Sequence, residues 1–299
     1  MGCAMDAGDL RVFEAVVRLG GMSRAAAELH TVQSNVTARI RSLEEELGAA
    51  LFQRHARGVE PTAAGRRLLP YARQVISLLQ DARRAVTDDG EPKGELVVGS
   101  LETTLSMHLA PLLTSFVQNQ PQVDLSIRGC TSAEAVDLVL ERRLEGAFVA
   151  GPVNHPDLDE EAVFREELVV LTAPSVRRLD WSGLPAGLRI VVLRVGCSYR
   201  RRLEEILARR GVIGLRLLEF GTLEAVKGCV AAGMGVTLLP RRMVERVWRD
   251  GSVGVHVLPP EEALVDTVFI RRRDSFVSSA QAAFLDHVRQ GLALVQAAE

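Results

Sequence analysis

Apolar residues recur at helical spacing through residues 8–87 and at strand spacing beyond them. Leu10, Phe13, Val16 and Val17 form a short apolar face that stops at Gly20 and Gly21. Ser23 is placed to cap a second helix from Arg24 to Leu29, rich in small alanines, and a break at His30 and Thr31 leads to a third. There the periodicity is clearest. Val36, Ile40, Leu43 and Leu47 follow at spacings of four, three and four, which predicts one apolar stripe on a helix closed by Gly48. Residues 51–62 read as an extended turn or wing, with Gly58 at its tip and Pro61 near its end. From 62 to 87, Leu68, Leu69, Ala72, Val75, Ile76, Leu79, Ala82 and Val86 mark a longer helix. Nothing earlier in the chain covers this stripe by itself, so the helix expects a partner, often from a second subunit.

Residues 88–95, with Gly90, Pro92 and Gly94, form a polar hinge. Beyond it, short β-branched runs alternate with helical ones. Strands are expected at 96–99, 123–127, 146–149, 168–172, 190–193, 216–219, 236–239, 253–258 and 265–271, and helices at 107–119, 133–142, 199–210, 223–232 and 279–293. Such alternation indicates parallel βαβ units.

Composition narrows the class. The 299 residues suit about two domains and a buried core without staples. The net charge of −2 means that any nucleic-acid surface is local. Lys93 and Lys227 are the only lysines, an arginine bias that fits a GC-rich genome as readily as a binding surface. Cys3, Cys130, Cys197 and Cys229 have neither metal-site nor CxxC spacing, so neither a metal nor another cofactor is expected. No apolar run reaches the roughly 18 residues of a membrane span. No apolar segment precedes Cys3, which is therefore not read as a lipid anchor; Met5 is an alternative start, and the cytoplasm follows by elimination.

The third helix carries the clearest chemistry. With Val36, Ile40 and Leu43 inward, Ser34, Thr37, Ala38 and Arg41 face outward, while Gln33 and Asn35 occupy the first turn. Residues 33–43 contain no acidic side chain; acids return at Glu44 to Glu46. Small polar residues with arginines behind them suit base edges in a major groove, and a helix N-terminus favours phosphate. Ser23 and Arg24 precede this helix, and the wing supplies Gln53, Arg54, His55 and Arg57 for phosphates or the minor groove. The plainer reading is an exposed polar face and a loop.

Leu10, Phe13, the unbroken run from Gly21 to Glu44, Leu47-Gly48, Leu51-Phe52, Arg54 and Pro61-Thr62-Ala63-Ala64-Gly65 resemble the helix-turn-helix, wing and linker-helix entry of LysR-type transcriptional regulators. Thr37 departs from a commoner serine and keeps its hydroxyl; Pro61 departs from a commoner leucine. The resemblance implies an α/β protein with an all-α-dominated N-terminal domain. Its parts would be a winged helix-turn-helix over 5–65, a dimerising linker helix over 62–87, a hinge, and an effector-binding domain over 96–299. That domain would have two α/β lobes resembling type 2 periplasmic binding proteins, one at about 96–164 and 266–299, the other at about 165–265. It further implies a homotetrameric dimer of dimers on double-stranded promoter DNA, with an effector in the interlobe cleft altering DNA bending or RNA polymerase contact.

Ligands of such modules sit beyond strand ends near helix N-termini. The candidates are Ser100, Leu101, Glu102 and Thr103; Thr131 and Ser132; Gly151; Gly196, Cys197 and Ser198; and Phe220, Gly221 and Thr222. Free N–H groups there suit a small carboxylate, against which Glu102 weighs. Hydroxyls before helices are also ordinary caps. Cys197 before a helix admits a redox reading, beside the plainer one of a small polar residue in a ligand loop.

Two other classes stay open at this point. A receptor module without DNA function leaves residues 1–87 without a purpose. A cysteine-dependent enzyme needs more than Cys197-Ser198-Tyr199-Arg200 offers, since Leu203 stands where a phosphate loop wants arginine and no histidine is adjacent. Gly228, Gly233 and Gly235 do not follow a strand, so no dinucleotide fingerprint is read.

Overall fold

A computed structural model of the chain describes residues 5–55, 58–181, 184, 187–193 and 195–297. The chain divides into two compact units, Met1–Asp89 and Gly90–Glu299.

In the first unit, α1 (Ala7–Leu19), α2 (Met22–Glu28) and α3 (Gln33–Leu47) precede a hairpin of β1 (Phe52–His55) and β2 (Gly58–Pro61), followed by α4 (Ala63–Thr87). Asp6 and Asp9 close a capping box at the start of α1. Gly20 and Gly48 end α1 and α3 in the left-handed conformation, which glycine adopts without steric cost. The second helix begins earlier than its sequence suggests. Gly21 is its N-cap and Ser23 lies in its first turn, where the hydroxyl donates to Gln33 Oε1 at 2.9 Å instead of capping. The core joins Phe13 and Val16 of α1, Ala25 and Ala26 of α2, Val36, Ile40 and Leu43 of α3, and Leu51, Phe52 and Ala72. Leu47 does not complete the stripe: it is 41% exposed, one turn beyond the α1 contact. Glu44 accepts hydrogen bonds from the N–H groups of Leu51 (2.7 Å) and Phe52 (3.2 Å), so it anchors the hairpin. The start of α4 is covered after all, since Leu68, Leu69 and Ala72 pack on this core. Tyr71, Val75, Leu78, Leu79 and Val86 farther along stay exposed.

The second unit holds a seven-stranded mixed sheet and a separate two-stranded one, with helices packed on them. Its strands are β3 (Gly94–Ser100), β4 (Val123–Gly129), β5 (Gly146–Ala150), β6 (Leu158–Thr172), β7 (Arg189–Leu193), β8 (Arg216–Phe220), β9 (Thr237–Pro240), β10 (Gly254–Val257) and β11 (Leu264–Arg272). Its helices are α5 (Glu102–Thr104), running through a π turn at Leu105–Leu109 into α6 (Ala110–Asn119), then α7 (Ser132–Leu140), α8 (Ser198–Arg209), α9 (Leu223–Ala231), α10 (Arg241–Arg249), α11 (Pro260–Ala263) and α12 (Ser279–Ala297). β3 pairs parallel with β4 and β5, and β7 parallel with β8. The expected parallel units are therefore present, and β6, β9, β10 and β11 add antiparallel pairings to them. β6 is 15 residues long. Its first part, from Leu158 to Glu167, pairs with β11; its second, from Leu168 to Thr172, lies between β9 and β10. Helices α6 and α12 cover one core around Phe116, Phe148 and Phe284, while α8 covers another around Ile190, Leu203 and Leu238. Strand β6 therefore crosses from one core to the other.

Candidate nucleic-acid interface and ligand cavity

Helix α3 is held by three fully buried side chains, Val36, Ile40 and Leu43. Burying each contributes about 1.5–3 kcal/mol. Their spacing turns Gln33, Ser34, Asn35, Ala38 and Arg41 to solvent, with Thr37 half-buried at the edge of that face. The first turn has no side-chain cap, because Val32 holds the N-cap position. Its N–H groups and partial positive charge therefore face the same solvent as Ser34 and Asn35. The Asn35 amide donates to Thr31 Oγ1 at 2.9 Å, and Ser23 holds Gln33 through the bond given above. Exposed Arg24 donates to Gly20 O at 3.0 Å. The hairpin presents exposed Gln53 and His55. Arg54 lies on β1 opposite Val59, and Arg57 lies outside the described residues.

In the second unit a cavity of about 240 Å³ opens between the start of α5, the end of β4 and the start of α8. Of the sequence candidates, Leu101, Glu102, Thr103, Thr131, Cys197, Ser198 and Gly221 line it. Leu105, Gly129, Cys130, Leu193 and Tyr199 join them.

The other candidates have local duties. Ser100 is fully buried and donates to the carbonyl of Leu101. Ser132 accepts from the Ala150 N–H, and Gly151 donates to Asp266 O at 2.8 Å. Phe220 packs with Leu218 in a neighbouring core. Thr222 caps α9 by accepting from Ala225 N. Gly196, at φ +93°, lies so close to Thr131 that a side chain there would collide with its hydroxyl. Thr131 lines the cavity and also caps α7 in a box with Glu134.

Sequence reasoning passed over a buried polar chain behind the cavity. The Tyr199 hydroxyl donates to Glu166 Oε2 at 2.8 Å and lies 3.4 Å from Thr103 Oγ1. Glu166 Oε1 lies 3.2 Å from His108 Nε2, and the His108 ring sits 4.0 Å from that of Phe164. Desolvation and the Glu166 carboxylate hold the Tyr199 phenol well above its ordinary range, so it stays a donor. The signal in the sequence was Glu166 beside the apolar run Leu168–Leu171, an acid where a strand enters a core. His108 and Glu166 also line a second cavity of about 430 Å³, whose charges are matched internally by ion pairs such as Arg241 with Glu167.

Burial pushes the thiols of Cys130 and Cys197 up. Both are therefore held toward the thiol form, which weighs against a redox role for either. Among the described residues no group of His, Cys, Asp and Glu forms a metal site, and no helix is long and apolar enough to cross a membrane.

A helix with an unobstructed polar outer face beside a two-stranded wing, joined in one chain to an α/β unit with a ligand-sized cavity, defines a DNA-binding regulator that senses a small molecule. Residues 7–66 match the bacterial regulatory helix-turn-helix proteins of the lysR family, and residues 89–293 match the LysR substrate binding domain. The chain belongs to the LysR family of transcriptional regulators, and it is not an enzyme. It is 43% identical over 282 residues to the HTH-type transcriptional regulator YusT of Bacillus subtilis (strain 168), covering 94% of this chain and 95% of that one. It is 39% identical over 280 residues to GltR of the same organism, with the same shares of each chain. Among solved structures, a full-length OxyR from Pseudomonas aeruginosa aligns with a TM-score of 0.73 at 21% identity, over 96% of this chain and 95% of that one. Full-length CbnR in complex with its target DNA aligns at 0.62 and 24%, over 96% and 100%. These two show that the fold is shared.

Proposed function

We propose that the protein reads its operator with the outer face of α3, through Gln33, Ser34, Asn35, Thr37, Ala38 and Arg41. Ser23 and Arg24 flank that face, His55 of the wing reaches the adjacent backbone, and Arg54 and Arg57 are sequence candidates for the same role. The carrying observation is the burial of Val36, Ile40 and Leu43, which turns an acid-free, uncapped first turn to solvent. The effector occupies the cavity between α5 and α8, and its arrival alters promoter binding or bending. Four of the cavity's sequence-expected side chains, Glu102, Thr103, Thr131 and Ser198, support that reading. The uncovered stripe on α4 supports a homo-oligomer, a dimer or a dimer of dimers. Contact with RNA polymerase follows from the class, and such a protein acts in the cytoplasm, where the DNA is.

The test is a gel-shift titration of the full chain on its own upstream intergenic region at several salt concentrations. The expected result is a specific shift whose affinity falls steeply with salt, since released counterions drive phosphate binding. A shift indifferent to salt, or none, contradicts the reading.

A further inference from the structure

We infer that the effector carries an ammonium group on a short apolar body, and that Glu102 is its counter-charge. The inference rests on the proposed assignment of this cavity as the effector site.

The first observation is the charge of the walls. Among the described residues, Glu102 is the only charged one lining the cavity. Carboxylates also stand directly behind two of the wall hydroxyls: Glu134 accepts from Thr131, and Glu166 from Tyr199. The guanidinium of Arg200, at the start of α8, is already bonded to Glu204 and Glu219. A ligand whose only charge is negative would leave water for described walls whose one charge is a carboxylate.

The second observation is which polar groups are still available. Thr131 is bonded to Glu134, and Thr103 and Tyr199 to each other. Among the described residues Glu102 and Ser198 have no side-chain hydrogen-bond partner, so the cavity offers one open carboxylate acceptor and one hydroxyl that accepts or donates. A donor-rich cation matches both groups, whereas a carboxylate would meet the Glu102 charge.

The third observation is shape. Leu101, Leu105 and Leu193 supply an aliphatic wall, and about 240 Å³ lies below the usual range for drug-sized ligands. An ammonium at Glu102 with a few carbons against these leucines fills that space. Two sources share this chemistry, a simple alkylamine and an amino acid, and the probes separate them.

The experiment is thermal melting and calorimetric titration of the full chain with two matched sets. One is leucine, isoamylamine and isocaproate; the other is alanine, ethylamine and propionate. Within each set the three compounds share a skeleton and differ in whether they carry ammonium, carboxylate or both. The expected result is that an ammonium-bearing member raises the melting temperature, that its carboxylate-only counterpart does not, and that Glu102→Gln weakens binding at least tenfold. Binding by both amine and amino acid identifies the ammonium alone as the recognised group; binding by the amino acid alone adds a carboxylate contact. The inference is overturned if isocaproate or propionate binds as well as its amine, if no ammonium-bearing probe binds, or if Glu102→Gln leaves affinity unchanged. Ser198→Trp, checked for folding by circular dichroism, separates this failure from that of the site itself. A carboxylate that binds wild type and is blocked by Ser198→Trp overturns the ammonium and keeps the cavity, whereas any binder indifferent to Ser198→Trp overturns the cavity as well.

Discussion

Gln33 stands where a single side chain decides two things. Its Oε1 is held by the Ser23 hydroxyl, which fixes the amide at the start of α3 and leaves its N–H₂ free to meet a base edge. Under the proposed reading, Gln33→Ala costs about 1–3 kcal/mol at one operator position and relaxes specificity there, whereas Arg54→Ala, in the wing set against the DNA backbone, weakens all sequences about equally. Competition binding against single-base operator variants distinguishes the two; the reverse pattern would show the roles exchanged. A second residue-scale prediction concerns the buried chain behind the cavity. Tyr199→Phe leaves Glu166 Oε2 buried without its donor, so the second unit should lose about 1–3 kcal/mol in urea melting. An unchanged midpoint contradicts that account. At this scale the outer face of α3 was legible, because three aliphatic residues at helical spacing determine where their polar neighbours point. The Tyr199–Glu166–His108 chain was not legible, because its members lie 33 and 58 positions apart along the chain.

Elements whose burial follows the simple periods were read correctly, and charged elements were not. The first part of β6 carries Asp159, Glu160, Glu161, Arg165, Glu166 and Glu167, a sequence that offers no apolar alternation. It forms a strand because β11 supplies opposite charges in register. Asp159 lies across from Arg271 at 2.8 Å, and Arg165 across from Asp266 through two hydrogen bonds of 2.6 and 2.9 Å. Each exposed pair contributes little by itself, but together they set the register. Helix α10 escaped notice for a related reason, since Val244 is its only fully buried residue among four arginines. Helix α8 is tied to α11 by a tighter contact. Arg210 stacks 4.2 Å above the Trp181 ring and bonds Glu262 at 3.0 and 2.5 Å. Those bonds hold the Glu262 carboxyl below its ordinary range. An acid depressed in the folded state stabilises above its unfolded pKa of about 4.3, and that contribution is lost as pH falls through the folded value. Glu262→Gln should therefore lower the melting temperature at neutral pH, with the deficit shrinking as the pH drops below about 4. A deficit independent of pH would assign the effect to packing instead.

For the whole molecule, the open question in the sequence was what covers α4. Its first turns are covered within the chain, but Tyr71, Val75, Leu78, Leu79 and Val86 share one face at about 100° per residue and remain exposed, Val86 at 86%. We propose that a second copy covers this face. Leu78→Glu combined with Leu79→Glu should then shift the particle mass by light scattering to that of a smaller assembly; a mass identical to wild type contradicts it. The two-unit division and the α/β character of the second unit followed from the polar hinge and the strand-helix alternation. The mixed sheet did not, because antiparallel crossing strands leave no local mark in the sequence.

The account depends most on the outer face of α3 meeting DNA. Ser34 is exposed, lies in the uncapped first turn and has no side-chain hydrogen-bond partner among the described residues, so Ser34→Glu places a negative charge on that face without touching the core. The direct measurement is the affinity of this variant for the upstream region, beside its melting curve. The account predicts an unchanged melting curve and at least a hundredfold loss of binding; wild-type affinity in the folded variant would contradict it.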